Sequence, residues 1–124
     1  MDLLYIAAPY RASSTAAIRN NINEAALMAQ YYWLQGYAVL CPHMNSAHFD
    51  GLVPDKVFMA ATKLMLTHCS HIALHPKWSF STGCIEEYQY AHNNNITMHF
   101  TVMQRVYTCL GLTMGDSPCQ QLEK

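Results

Sequence analysis

The chain has 124 residues, 52% of them hydrophobic and 12% charged, with a formal net charge of −1. That length specifies one domain able to bury about two-thirds of its unfolded surface, and the sparse charge points to a surface partly covered by further copies of the chain. The near-neutral balance excludes the basic field that nucleic-acid binding needs, and no apolar run approaches the ~18 residues of a membrane-spanning helix.

Leu3 to Ala8 is continuously apolar, as a strand buried on both faces of a parallel sheet should be. The opening MDLLYIAAPY has no basic flank before that run, so it reads as a first strand and not as an export signal. Pro9 ends the strand, and Tyr10, Arg11, Ala12, Ser13 and Ser14 form a loop. A helix is expected from about Thr15 to Gln35, with an apolar stripe of Ile18, Ile22, Ala25, Ala26, Ala29 and Trp33. Ser14 or Thr15 suits its N-cap, and Gly36 the left-handed position after its end. Tyr37 to Cys41 is the second strand, ended by Pro42. The polar loop from His43 to Val53 follows, and Pro54 opens a helix over about 55 to 68 that buries Val57, Ala61, Leu64 and Met65.

The stretch from His71 to Ile96 carries most of the chemistry. A short apolar run, His71 to Leu74, breaks at Pro76 and leads through Trp78 to Ser81, Thr82 and Gly83. A polar-faced helix with Glu86 and Glu87 comes next. A small-residue turn opening a helix offers free N–H groups and the positive end of the helix dipole to an anion. Ile96 to Phe100 is the fourth strand, and Val102, Val106, Cys109 and Leu110 line a last helix. The domain is expected to span residues 1 to 110, with 111 to 124 a loose tail containing the turn signal Asp116-Ser117-Pro118.

Strands alternating with helices imply a parallel sheet with right-handed crossovers, here a flavodoxin-like, doubly wound α/β sheet of four to five strands in three layers. A strand order of 2-1-3-4 puts the switch point between strands one and three, where ligands bind in such sheets. Arg11, Trp78, Ser81 and Glu87 are expected to converge there. The loop side chains His43, Asn45, Ser46, His48 and Asp50 either reach into a pocket, their own or a neighbouring copy's, or satisfy one another. The cysteines at positions 41, 69, 84, 109 and 119 form no CxxC pair and are odd in number, which fits reduced thiols of the cytoplasm. His68, His71 and His75 straddle a helix end and a strand, so their spacing does not build a metal site. No Walker loop or GxGxxG is present, and no cofactor is expected.

Four pieces of the sequence carry a resemblance. They are Tyr5-Ile6-Ala7-Ala8-Pro9-Tyr10-Arg11; Cys41-Pro42-His43-Met44-Asn45-Ser46; His48-Phe49-Asp50-Gly51-Leu52-Val53-Pro54-Asp55; and Trp78-x-x-Ser81-x-Gly83-x-x-x-Glu87-x-x-x-Ala91. Together they resemble the nucleoside 2-deoxyribosyltransferase-like superfamily, in particular its small, often phage-encoded branch. The resemblance covers residues 3 to 100. It implies a sugar-phosphate pocket made by Tyr5, Ala8, Pro9, Tyr10, Arg11, His43, Asn45, Ser46, His48, Trp78, Ser81, Thr82, Gly83 and Glu87. In that superfamily a helix glutamate attacks the anomeric carbon of a (deoxy)nucleoside or its monophosphate. Glu87 stands at that position, while Glu86 points about 100° away around the helix. Ser81 and the amides near Thr82 and Gly83 would hold a 5′-phosphate.

Three departures bear on chemistry. Thr62 stands where the superfamily usually has an acid, Ser70 where it usually has a second Asp, and Ala8 where it usually has Gly. A hydroxyl cannot supply negative charge to an oxocarbenium-like transition state, and losing one placed acid/base group costs ~10²–10⁴ in rate. The expectation is therefore a binder of a ribose-phosphate-containing small molecule, such as an ADP-ribose-type signal sequestered by a phage-type protein in the host cytoplasm. The alternative is an N-glycosidic hydrolase or transferase with Glu87 as nucleophile. Self-association through the second and third helices is expected from the same resemblance.

Overall fold

A computed structural model of the chain describes residues 1–113. Four strands, β1 (Leu3–Ala7), β2 (Ala38–Leu40), β3 (His71–Leu74) and β4 (Thr97–Phe100), form one parallel sheet in the order β2-β1-β3-β4. Tyr5 sits at the centre, level with Leu40 on one side and Ile72 on the other. Five helices connect and cover the strands: α1 (Thr15–Leu34), α2 (Pro42–Asn45), α3 (Asp55–Thr67), α4 (Thr82–Asn93) and α5 (Met103–Cys109). No described helix is long and apolar enough to cross a membrane.

Period-two alternation along β1 divides the core in two. Leu4, Ile6 and Ala8 pack with Ala25, Met28 and Ala29 of α1 and with Met103, Val106 and Tyr107 of α5. Tyr5 and Ala7 face the other way, with Leu66 of α3, Ala91 of α4, and Ile72 and Leu74 of β3. The result is the expected three-layer, doubly wound arrangement of flavodoxin-like type.

Local chemistry explains the helix limits. Ser14 Oγ accepts from the Ala17 amide at 3.1 Å and caps α1. Gly36, at φ +100°, supplies the left-handed turn after α1, and the Tyr37 amide returns to the Tyr32 carbonyl at 3.2 Å. Ser81 Oγ accepts from Cys84 N at 3.3 Å and starts α4.

The buried faces of three helices are rotated from the expected ones. In α1, Ala25 and Ala29 are buried as expected, but Met28 and Tyr32 complete the face and Trp33 is 54% exposed. Tyr32 wins because its hydroxyl finds Thr101 Oγ1 at 2.8 Å and its ring packs edge-on against Tyr37 and His99. In α3 the buried residue is Leu66, while Val57 and Leu64 are 45% and 63% exposed. In α5, Met103, Val106 and Tyr107 are buried, whereas Val102 and Cys109 are exposed. Two further elements replace expected loop: Pro42 opens the single-turn α2, and Trp78–Phe80 makes one 3₁₀ turn. Leu112 folds back onto the α1/α5 core, and the turn signal at 116–118 lies outside the described residues.

The rotation of α3 has a direct test. Leu66→Ala should cost about 2–5 kcal/mol in denaturant unfolding. Leu64→Ala, on the face the sequence favoured, should cost clearly less, since no other described part of the chain covers that side chain. The reverse order would restore the expected face.

Candidate functional site

Tyr5 points from the middle of the sheet into the layer of α3 and α4 and is 1% exposed. Its backbone is committed to strands on both sides. Its hydroxyl donates to Glu87 Oε2 on the second turn of α4. Burial, and then the Glu87 charge, push the Tyr5 phenol far above its usual range, so it remains a donor. Burial also raises the Glu87 carboxyl from an ordinary 4.5 to about 7; the Tyr5 hydrogen bond works against that rise and neighbouring Glu86 adds to it.

This pair sits at a cleft of about 340 Å³ between α3 and α4. The α3 wall is Met59, Thr62, Lys63 and Leu66. The α4 wall includes Gly83, Glu86, Glu87, Tyr90 and Asn93, which recur at helical spacing. Thr62 stands beside the Tyr5 phenol, and its own hydroxyl donates to the Met59 carbonyl at 3.0 Å. A Cβ built at Gly83 meets only Ser81 Oγ, at 4.0 Å, so this end of the cleft is open. The cleft thus offers a carboxyl that is half-ionised near neutral pH, a second and exposed carboxylate at Glu86, and the cation of Lys63 at one wall.

The other expected site residues are distributed along the top of the sheet. Glu87 and Gly83 line the cleft, and Tyr5 touches it through Glu87. Ser81 spends its hydroxyl on the α4 cap, and Thr82 is the first residue of that helix. Arg11 pairs with Asp55 at the start of α3, 2.5 Å apart and largely exposed. Tyr10 donates to Asp50 at 3.0 Å and accepts Asn21 on its carbonyl at 3.1 Å. Trp78 stacks on Tyr88 at 4.5 Å between centroids. His43, buried and held neutral by that burial, bonds through Nε2 to the Pro9 carbonyl at 3.0 Å. Ala8 belongs to the α1/α5 core. Asn45 reaches Met65 Sδ at 3.7 Å, Ser46 bonds the Pro42 carbonyl at 3.3 Å, and His48 is exposed with φ 70°. The loop after β2 is therefore largely satisfied by its own neighbourhood.

Thr62, Lys63, Gln89, Tyr90 and Asn93 line the cleft and were absent from the expected set. For the α4 members a signal existed: Gly83, Glu86 or Glu87, Tyr90 and Asn93 fall on one helical face. Cys84 is buried behind that face, and burial pushes its thiol up to about 12, so it is not a nucleophile at neutral pH.

The chain belongs to the DUF4406 family, described as a domain of unknown function, whose model matches residues 3–100. No curated protein and no solved structure matches it.

The raised Glu87 carboxyl dictates a pH dependence. The folded state holds this proton more tightly than the unfolded state, so its contribution is intact below about 4.5 and declines as pH rises through about 7. Glu87→Gln keeps an acceptor for Tyr5 without the charge. It should raise stability at pH 8 by up to about 3 kcal/mol, and the gain should vanish below pH 5. Thermal melts of both proteins across that range measure it; a constant gap would refute the burial of this charge.

Proposed function

We propose that the α3/α4 cleft binds the ribose of a nucleotide-derived small molecule, in a deoxyribosyltransferase-like pocket whose capacity for bond cleavage is impaired. The observation that supports this reading is the Tyr5–Glu87 pair at the cleft, with Thr62 and not an acid on the facing helix. One Glu87 oxygen is engaged by the phenol, and the other is left to accept from sugar hydroxyls. Charge-assisted hydrogen bonds of this kind are the stronger sort. The cap uses the Cys84 amide and leaves those of Thr82 and Gly83, at the N-terminus of α4, for an anion such as a phosphate. A protein that binds such a molecule without destroying it would act by sequestration, as suits a phage-type protein meeting an ADP-ribose-type signal in a host cytoplasm.

A second reading has its own support. Glu86 and Glu87 line the same cleft, one exposed and one raised to about 7. Two carboxyl groups in different environments are the ingredients of glycosidic cleavage with a covalent intermediate. In that reading Glu87 attacks the anomeric carbon, the base leaves, and water releases the sugar. Only the ionised fraction of Glu87 is nucleophilic, and Thr62 supplies neither charge nor proton to the departing base.

Self-association belongs to the same proposal. Val57, Met59 and Leu64 of α3 are 45%, 54% and 63% exposed, an apolar content that a helix in contact with water seldom keeps.

Three measurements test these readings. Nucleosides, their monophosphates and ADP-ribose should be screened by thermal shift, where a true ligand at 100 times its Kd stabilises by about 2.7 kcal/mol. Glu87→Ala should abolish that shift; no shift across the panel removes the binding proposal. Free base, read by chromatography, should be scarce with the natural protein and rise by ~10²–10⁴ in Thr62→Asp. Rapid release by the natural protein would instead establish the enzymatic reading. Light scattering should give at least twice the chain mass, and a clean monomer would refute the assembly.

A further inference from the structure

A second pocket, of about 320 Å³, lies on the opposite face of the sheet from the Glu87 cleft. It opens between the end of α1, the edge strand β4 and the start of α5. Tyr31, Tyr32 and Tyr37 bring three phenol rings to it, Gln35 an amide, His99 an imidazole and Arg105 a guanidinium. No carboxylate lines it. Arg105 has no acidic partner among the described residues, whose carboxylates reach Arg11, His71 and His75.

The rings are fixed. Tyr31 meets Tyr32 edge-on at 5.0 Å and 85°, Tyr37 lies 5.5 Å from His99, and Tyr32 is anchored by its bond to Thr101 at 2.8 Å. When the His71 ring is neutral, its contacts also set the proton on the imidazole. Asp2 Oδ2 only accepts, so His71 Nε2, 3.3 Å away, carries the hydrogen. The other nitrogen of a neutral His71 ring must then accept, and it lies 2.9 Å from His99 Nε2, which is therefore the donor. His99 Nδ1 is left as a bare lone pair with no partner among the described residues. It is not a buried orphan either, since the one such atom among them is Asn20 Oδ1. His99 itself lines the pocket. Burial and the adjacent His71 hold His99 below the ordinary imidazole range, which keeps this ring neutral.

We propose that this pocket is a second small-molecule site, one that takes a planar ring carrying an anionic group and a hydrogen-bond donor. The phenol walls suit a flat aromatic body, packed edge-to-face or offset. Arg105 meets the anion, and His99 Nδ1 accepts from an O–H or N–H on the ring. A hydroxyaryl acid is the simplest molecule with these features. The site stands apart from the Glu87 cleft and does not depend on what that cleft binds.

The test uses the full chain and three probes: para-hydroxybenzoate, para-methoxybenzoate and benzyl alcohol, titrated by calorimetry. The hydroxy acid should bind best, and the neutral alcohol worst. Arg105→Met, a change at an exposed residue, should weaken the hydroxy acid about tenfold. His99→Phe keeps a ring of similar size and should erase the preference for hydroxy over methoxy. Ring-nitrogen shifts of His99 should move on binding in the natural protein, and Glu87→Gln should leave all three affinities unchanged. The proposal fails if no probe binds into the millimolar range, if Arg105→Met and His99→Phe bind as the natural protein does, or if Glu87→Gln abolishes binding.

Discussion

A phenol buried in the middle of a parallel sheet has to find a partner. Leaving it unpaired costs about 1–3 kcal/mol, and the neighbouring strands have already used the backbone of β1 on both sides. Tyr5 solves this by reaching out of the sheet to Glu87 on α4. That bond joins the two layers and brings a carboxyl down to the sheet. It also gives the space between α3 and α4 a polar floor where the rest of the layer is apolar.

The solution carries a tension that is itself informative. A carboxyl raised to about 7 costs stability whenever it is ionised. Groups with perturbed protonation at a cleft are found at functional sites more often than elsewhere. The loops above the sheet show the opposite character. His43 on the Pro9 carbonyl, Tyr10 on Asp50 and Arg11 on Asp55 tie the loops after β1 and β2 together. These contacts hold the two loops against each other above the sheet.

Much of the fold was legible in the residues. Each strand is a short apolar run, and prolines, glycine and serine caps mark where elements start and stop. The helix faces were not legible to the same degree, for a physical reason. α1 is rich in alanine and α3 carries apolar residues around much of its circumference, so several stripes of similar hydrophobicity compete. The choice among them went to residues that satisfy more than one demand. Tyr32 offers both a ring and a hydroxyl, and it finds Thr101; Trp33 finds no such partner among the described residues. In the same way Leu66, not Leu64, lies over the sheet beside Tyr5.

For the site, the sequence by itself determined the parts list: a glutamate six residues after a capping serine, an open glycine between them, and a threonine on the facing helix. It also narrowed the strand order to a few arrangements, because short crossovers have a fixed hand. Only the tertiary structure decided which of these parts meet. The partners of Glu87, Arg11, His43 and His99 lie 82, 44, 34 and 28 positions away along the chain, and no local spacing encodes a hydrogen bond across such distances. Burial, which converts Glu87 from an ordinary surface carboxylate into a group that titrates near neutrality, is likewise a property of the packed layers and not of any stretch of residues.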